Sequence, residues 1–228
     1  MPRLVVFDWD GTLTDSVGHI TAMIALAIER AGLPARSAAQ IREIIGLGMA
    51  AGIRSLYPDD PEHAATALAR VQTDPDVHAR VRQAAPLFPG AADLLARLAA
   101  DGTLLAVATG KGRAGLDRDM GAAGIGDLFA TVRCADDGPG KPSPWMLEEI
   151  LTETGTRPGE AIVVGDTLYD LEMAAAAGVA AVAVSWGVHP RDRLARAGPL
   201  AIVDRIDDLP DVLRGPHVTN PEMESRIR

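Results

Sequence analysis

Asp8 and Asp10 stand two residues apart at the end of an apolar run, LVVF at 4–7, and Gly11 follows them. In an extended chain, residues i and i+2 face the same side, so both carboxylates address one site while Trp9 points elsewhere. Glycine then lets the backbone turn sharply. Further along, Thr109 follows LLAVA at 104–108, and Asp166 and Asp170 follow AIVV at 161–164. Carboxylates and a hydroxyl placed after hydrophobic runs suit a ligand site on one edge of a parallel sheet, outside the carboxyl ends of its strands. Two carboxylates this close repel each other and raise a pKa unless a cation joins them. All-oxygen ligation favours Mg²⁺, a hard ion that keeps several waters and usually works on phosphate substrates.

Each of these residues has a plainer reading when taken alone. Asp10-Gly11 is a common turn, Thr109 a helix cap, and Asp166 with Asp170 a loop residue and a solvated helix face. It is their joint placement that argues for chemistry. Composition adds one clue: of 22 basic residues only two are lysines, Lys111 and Lys141. Lys111, two residues beyond Thr109, reads equally well as a site residue or as a solvated loop residue. Arg54, in GIRSLYP, reads as solvated.

The elements that must position these residues are legible in outline. Five aliphatic runs, at 4–7, 104–108, 161–164, 180–184 and 200–203, are apolar throughout, as strands buried on both faces require. Helical segments lie between them: one over 144–154 with Ser143 as N-cap and Pro144 at its first position, another near 170–177 that stops at Gly178. This alternation predicts an α/β fold, a doubly wound parallel sheet. Residues 16–85 hold no aliphatic run and read as helices only, over 17–31, 38–45, 48–57, 61–72 and 75–85. Ser37 with Gln40, Asp60-Pro61 and Asp74-Pro75 mark their starts. The expected organisation is therefore a core at 1–15, an inserted all-helical cap at 16–85, the rest of the core at 86–214 and a loose tail at 215–228.

Composition removes several function classes. The formal charge of −9 repels nucleic acid and anionic membrane surfaces. One cysteine, Cys134, and no close Cys/His spacing exclude a disulfide scaffold and structural zinc. The apolar stretch of MPRLVVFDWDG is too short for a secretory signal and stops at Asp8, which predicts a cytoplasmic protein. The expected partner is a small phosphorylated metabolite, with no nucleic acid and no membrane, and the chain itself a monomer or homodimer.

These residues carry a resemblance to the haloacid dehalogenase superfamily of phosphohydrolases. FDWDGTLTDS at 7–16 matches its first motif, Thr109 in AVATGK its second, Lys141 in GKPSP its third and GDTLYD at 165–170 its fourth. The match covers nearly the whole chain, and the helical insertion falls where this superfamily carries its cap. The resemblance implies a Rossmann-like core and a role for each matching residue. Asp8 would attack phosphorus, and Asp10 would protonate the leaving oxygen and then take the proton of the attacking water. Mg²⁺ would be bound by the Asp8 carboxylate, the Asp10 carbonyl and Asp166. Asp170 would support a metal-bound water or Lys141. Thr109, the Gly110 amide and the Trp9 and Asp10 amides would hold phosphoryl oxygens, with Lys141 neutralising charge.

Within that superfamily, Asp10 speaks against the dehalogenase branch, and the absence of lysine from 16–85 speaks against the phosphonate-cleaving branch and, more weakly, the sugar phosphomutases. IIGLG at 44–48, LFPG at 87–90 and SWGVHP at 185–190 resemble the phosphoglycolate phosphatase group. The same cues are shared by cap-bearing pyrophosphatases and by promiscuous sugar or nucleotide phosphatases. A phospho-accepting receiver or inactive binding module is the non-enzyme alternative, against which the helical insertion and the order of the motifs argue.

Overall fold

The computed structural model describes residues 1–71, 73–81 and 83–215. Strands β1 (Leu4–Phe7), β2 (Leu104–Ala108), β3 (Thr131–Arg133), β4 (Ala161–Gly165), β5 (Ala180–Val184) and β6 (Ala201–Val203) form one parallel sheet. Their order is β3-β2-β1-β4-β5-β6. Between β1 and β2 run helices α1 (Val17–Arg30), α2 (Ala38–Glu43), α3 (Met49–Leu56), α4 (Pro61–Arg70), α5 (Pro75–Val81) and α6 (Ala91–Ala100). The remaining helices are α7 (Arg113–Ala123), α8 (Trp145–Thr154), α9 (Leu168–Ala176), α10 (Arg191–Ala195) and α11 (Leu209–Arg214).

Strands β1, β2, β4, β5 and β6 are apolar throughout because helices cover both faces. Val5, Phe7, Val107 and Val164 pack on one side with Leu94, Leu95 and Leu98 of α6. Leu4, Val6, Ala106 and Val163 pack on the other with Met146, Leu147 and Ile150 of α8. Each such side chain contributes about 1.5–3 kcal/mol on full burial, so the sheet is a rigid base for whatever its ends carry.

The helices of the insertion bury a separate cluster that includes Ile28, Leu33, Ile41, Ile53, Leu56 and Tyr57. Their starts follow the local rules. Ser37 and Gln40 form a capping box, the amide of Ser37 donating to Gln40 Oε1 at 2.9 Å, and Asp60 Oδ1 accepts from the His63 amide at 3.1 Å. The two connections to the sheet pair with each other: the Asp15 amide donates to Pro86 O at 2.9 Å and the Phe88 amide to Leu13 O at 2.9 Å, around an antiparallel bridge between Thr14 and Leu87.

Three expectations need correction. The sheet has a sixth strand, β3, which no aliphatic run announces. It is a three-residue edge strand whose Thr131 and Arg133 reach Glu153 at 2.7 Å each, a polar edge that blocks pairing with other chains. Helix α8 begins at Trp145, one residue later than expected, with Pro144 before it in helical conformation, while Ser143 Oγ still accepts from the Trp145 amide at 3.4 Å. The insertion helices also end earlier than their patterns suggest; α2 stops at Glu43, and residues 44–47 turn. Apart from Gly215, the tail expected at 215–228 lies outside the described residues, as do position 72 of the expected fourth insertion helix and position 82 of the fifth. Among the described residues no helix is long and apolar enough to cross a membrane.

The separate cluster generates a test. Ile41→Ala removes a fully buried side chain, at a cost of about 2–5 kcal/mol, from the helical insertion alone. Amide exchange should accelerate in α1 to α4 while β1, β2 and β4 keep their protection; acceleration throughout the chain would mean that both clusters unfold as one unit.

Candidate active site

Strand order reverses beside β1, whose two neighbours β2 and β4 belong to different halves of the sheet. Such a switch point leaves a crevice at the strands' carboxyl ends. Into it the chain delivers Asp8 and Asp10 after β1, Thr109 after β2 and Asp166 after β4, while Lys141 arrives on the loop between β3 and α8. Fully buried Lys141 donates through Nζ to Asp8 Oδ1 and to Asp170 Oδ1, each at 2.5 Å.

Local sequence explains why Asp170 is there. Thr167 is the N-cap of α9 and Asp170 its third residue, so a capping box forms: the Thr167 amide and hydroxyl donate to Asp170 Oδ2 at 3.0 and 2.7 Å. The other oxygen is left for Lys141. Asp166 is held from two other loops, accepting the Thr12 hydroxyl at Oδ1 and the Val188 amide at Oδ2, both at 2.7 Å. Glycine makes room for it. A Cβ at Gly187 would collide with its carboxylate, and one at Gly11, where φ is +89°, would come within 2.5 Å of Oδ2.

Carboxylate oxygens of Asp8, Asp166 and Asp170 all lie within 4.8 Å of one another. Burial pushes the Asp8 carboxyl well above its usual range; Lys141 opposes the shift and Asp170 and Asp166 add to it. Burial, then Asp170, pushes Asp166 up to about 6, against the hydrogen bonds from Thr12 and Val188. For Lys141 burial disfavours the charge, yet Asp170 and Asp8 outweigh it and hold the ammonium above the usual lysine range. Asp8 Oδ2 is buried with no hydrogen-bond partner among the described residues. Three carboxylates facing one ammonium, with a naked oxygen among them, fit an oxygen-coordinated divalent cation.

The second half of the site lies around Thr109. Its Oγ1 accepts from the Lys111 amide at 3.1 Å, and its own amide donates to Arg133 O at 3.0 Å. Next to it, Gly110 has no space for a side chain: a Cβ would meet Gly46 O at 2.5 Å and Leu47 O at 2.8 Å. The turn after α2 therefore lies directly on this loop. The Trp9 ring is fully buried against Phe129, edge to face at 6.3 Å. Asp10 does not share the cluster around Lys141. Its two oxygens accept from Lys111 Nζ at 2.9 and 3.1 Å.

Lys111 is thus no solvated loop residue; Asp10 and Asp119 together hold its charge, against burial, above the usual lysine range. Arg54, by contrast, is exposed. Sequence reading misses Thr12, Asp119 and a set of contacts from the end of α2. Arg193 donates to Glu43 Oε2 at 2.6 Å, the Tyr169 hydroxyl to Glu43 O at 2.8 Å, and Arg42 to Gly187 O at 3.3 Å. Asp119, within GLDRDM, looks like any acid on a helix face. Only the lysine scarcity hints at the pairing of Lys111 with Asp119.

Comparison with known proteins identifies the family. A family model described as haloacid dehalogenase-like hydrolase matches residues 5–184. The chain is 36% identical over 214 residues to the "Probable phosphatase IndB" of Dickeya dadantii, covering 92% of each chain. It is 31% identical over 219 residues to phosphoglycolate phosphatase 1 of Pseudomonas aeruginosa, covering 92% of this chain and 79% of that one. Among solved structures, a hydrolase from Pseudomonas syringae superposes with a TM-score of 0.80 at 25% identity, over 92% of this chain and 97% of that one. A haloacid dehalogenase-like family protein from Streptococcus pneumoniae gives 0.78 at 23%, over 93% and 99%, a likeness of fold. Matched along most of its length by the family model and by these relatives, the chain belongs to the haloacid dehalogenase-like hydrolases.

Proposed function

We propose that this protein is a Mg²⁺-dependent phosphomonoesterase that works through an aspartyl phosphate on Asp8. The observation that carries the reading is the buried meeting of Asp8, Asp166 and Asp170 at Lys141, with Asp8 Oδ2 unpartnered. Asp8, Asp166 and the Asp10 carbonyl would hold Mg²⁺, which when bound supplies positive charge against a phosphoryl oxygen and the nucleophile.

The chain's own groups account for the rest. Asp8 supplies a carboxylate oxygen as nucleophile, held by the ammonium of Lys141 at its other oxygen. As the Asp8–phosphorus bond forms and the ester bond breaks, Asp10 in its acid form gives its proton to the leaving oxygen and becomes a carboxylate. In the second step water attacks phosphorus, the Asp8–phosphorus bond breaks, and Asp10 takes the water's proton. The Thr109 hydroxyl hydrogen and the amides of Gly110, Trp9 and Asp10 receive the phosphoryl oxygens. Asp170 keeps Lys141 in place through the α9 capping box.

Residues 16–85 act as a cap that covers the site and helps choose the leaving group. Support comes from the 46–47 turn against Gly110 and from Glu43 against Arg193. The names of the relatives favour 2-phosphoglycolate as substrate, and the cytoplasm, where small phosphate esters are found, is the place of work.

Phosphate release from p-nitrophenyl phosphate should require Mg²⁺, stop with EDTA, and fall at least about 10³-fold in Asp8→Asn; turnover by that variant would refute the nucleophile assignment. In a phosphomonoester panel, 2-phosphoglycolate should rank first by kcat/KM, and a higher rank for pyrophosphate, a sugar phosphate or a nucleotide would reassign the substrate. The raised Asp166 carboxyl also sets a pH dependence. Its proton stabilises the metal-free fold below the ordinary carboxylate value, and that contribution is lost as pH rises through about 6. Protons and cation compete for this group, so the rise in Tm on adding Mg²⁺ should be larger at pH 7.5 than at pH 5. Equal rises would remove Asp166 from the ligand set.

A further inference from the structure

We infer that Lys111, anchored by Asp119 and through it by the Trp9 indole, is a positioning residue that holds the Asp10 carboxylate in its working orientation. The inference rests on the phosphatase reading above and adds a role to a part of the site which that reading leaves idle.

The contacts close a ring. Lys111 Nζ grips both oxygens of Asp10, at 2.9 and 3.1 Å, and lies 3.2 Å from Asp119 Oδ2. Trp9 Nε1 donates to the same Asp119 oxygen at 3.3 Å. Trp9 precedes Asp10 in the chain, so the path Asp10, Lys111, Asp119, Trp9 returns to its start through a single peptide bond. A carboxylate gripped at both oxygens, on a backbone tethered by its neighbour's side chain, loses the rotamer freedom that would let it swing away from a leaving oxygen.

Lys111 is itself fixed at every level. Its amide donates to Thr109 Oγ1 at 3.1 Å and its carbonyl accepts from the Ala135 amide at 3.0 Å. Its stem runs over Gly115, where a Cβ would come within 3.3 Å of Lys111 Cε. Two carboxylates already flank the ammonium, which argues against a free cation waiting for substrate. Asp119 is 2% exposed, and Oδ1 has no partner among the described residues. Burying a carboxylate is costly unless it is paired, so this helix position would be more stable apolar if Asp119 did not hold Lys111.

Acting through Asp10 leaves a signature that a purely structural role does not. A nitrophenolate departs without a proton, whereas the alkoxide of 2-phosphoglycolate needs one. Lys111→Met should therefore lower kcat/KM for 2-phosphoglycolate about tenfold to a hundredfold more than for p-nitrophenyl phosphate. In an Asp10→Asn background, Lys111→Met should cause no additional loss on either ester. Asp119→Asn, which keeps Lys111, should show the same selectivity change in smaller degree and serves alone if Lys111→Met does not fold. Equal losses on both esters, no loss, or a full additional loss in the Asp10→Asn background would overturn the inference. If wild-type protein with Mg²⁺ hydrolyses neither ester, the phosphatase reading itself fails.

Discussion

The buried ammonium of Lys141 is the constraint from which the arrangement of the sheet edge follows. It lies 2.5 Å from two buried carboxylates that would otherwise repel each other. Deleting one member of a buried ion pair typically costs about 3–5 kcal/mol, because the partner is left charged and unpaired. Lys141 enters on a loop, Asp8 on a strand end and Asp170 on a helix start, so this one contact joins three elements that are remote in sequence. One ammonium does not neutralise three carboxylates. Burial first, and that deficit after it, raises the Asp8 and Asp166 carboxyls. Neutral donors, the Thr12 hydroxyl and the Val188 amide, cover both oxygens of Asp166 without removing it.

The contact between the helical insertion and the sheet is of another kind. Glu43 and Arg193 are 42% and 33% exposed, and exposed ion pairs contribute about 0–1 kcal/mol. Val17, Ile45 and Val188 add a small apolar cluster. Beside the two extensive clusters of the sheet these contacts are weak. Contacts of that strength can break while the sheet stays folded.

Much of this was legible in the sequence, for a physical reason. A residue at the end of a strand buried on both faces is marked by the apolar run before it. Asp8, Thr109 and Asp166 could be found that way, and Asp170 followed from its spacing after Asp166. Helix starts were legible where a side chain does the capping, as at Ser37 and Asp60. What escaped has no local signal. The edge strand Thr131–Arg133 has a single apolar residue between two polar ones, so no aliphatic run announces it. Asp119 carries the composition of a surface residue and is buried where Trp9, from 110 residues away, and Lys111, from a neighbouring loop, converge on it. Glu43 and Arg193 meet because the insertion folds back over the sheet. Long-range pairing of polar groups leaves no periodicity.

The paired connections of the insertion bear on where motion can act. Leu13, Thr14 and Asp15 run antiparallel to Pro86, Leu87 and Phe88, and Thr14 also bridges to Asp10, with the Gly11 amide donating to Thr14 O at 3.0 Å. Any rotation of the five helices has this narrow ribbon as its axle. Residues close to an axle travel little and those far from it travel far. Asp10, bridged to Thr14, sits at the pivot. Were the helices to turn about the ribbon, the group nearest the hinge would keep its place to within a fraction of their movement.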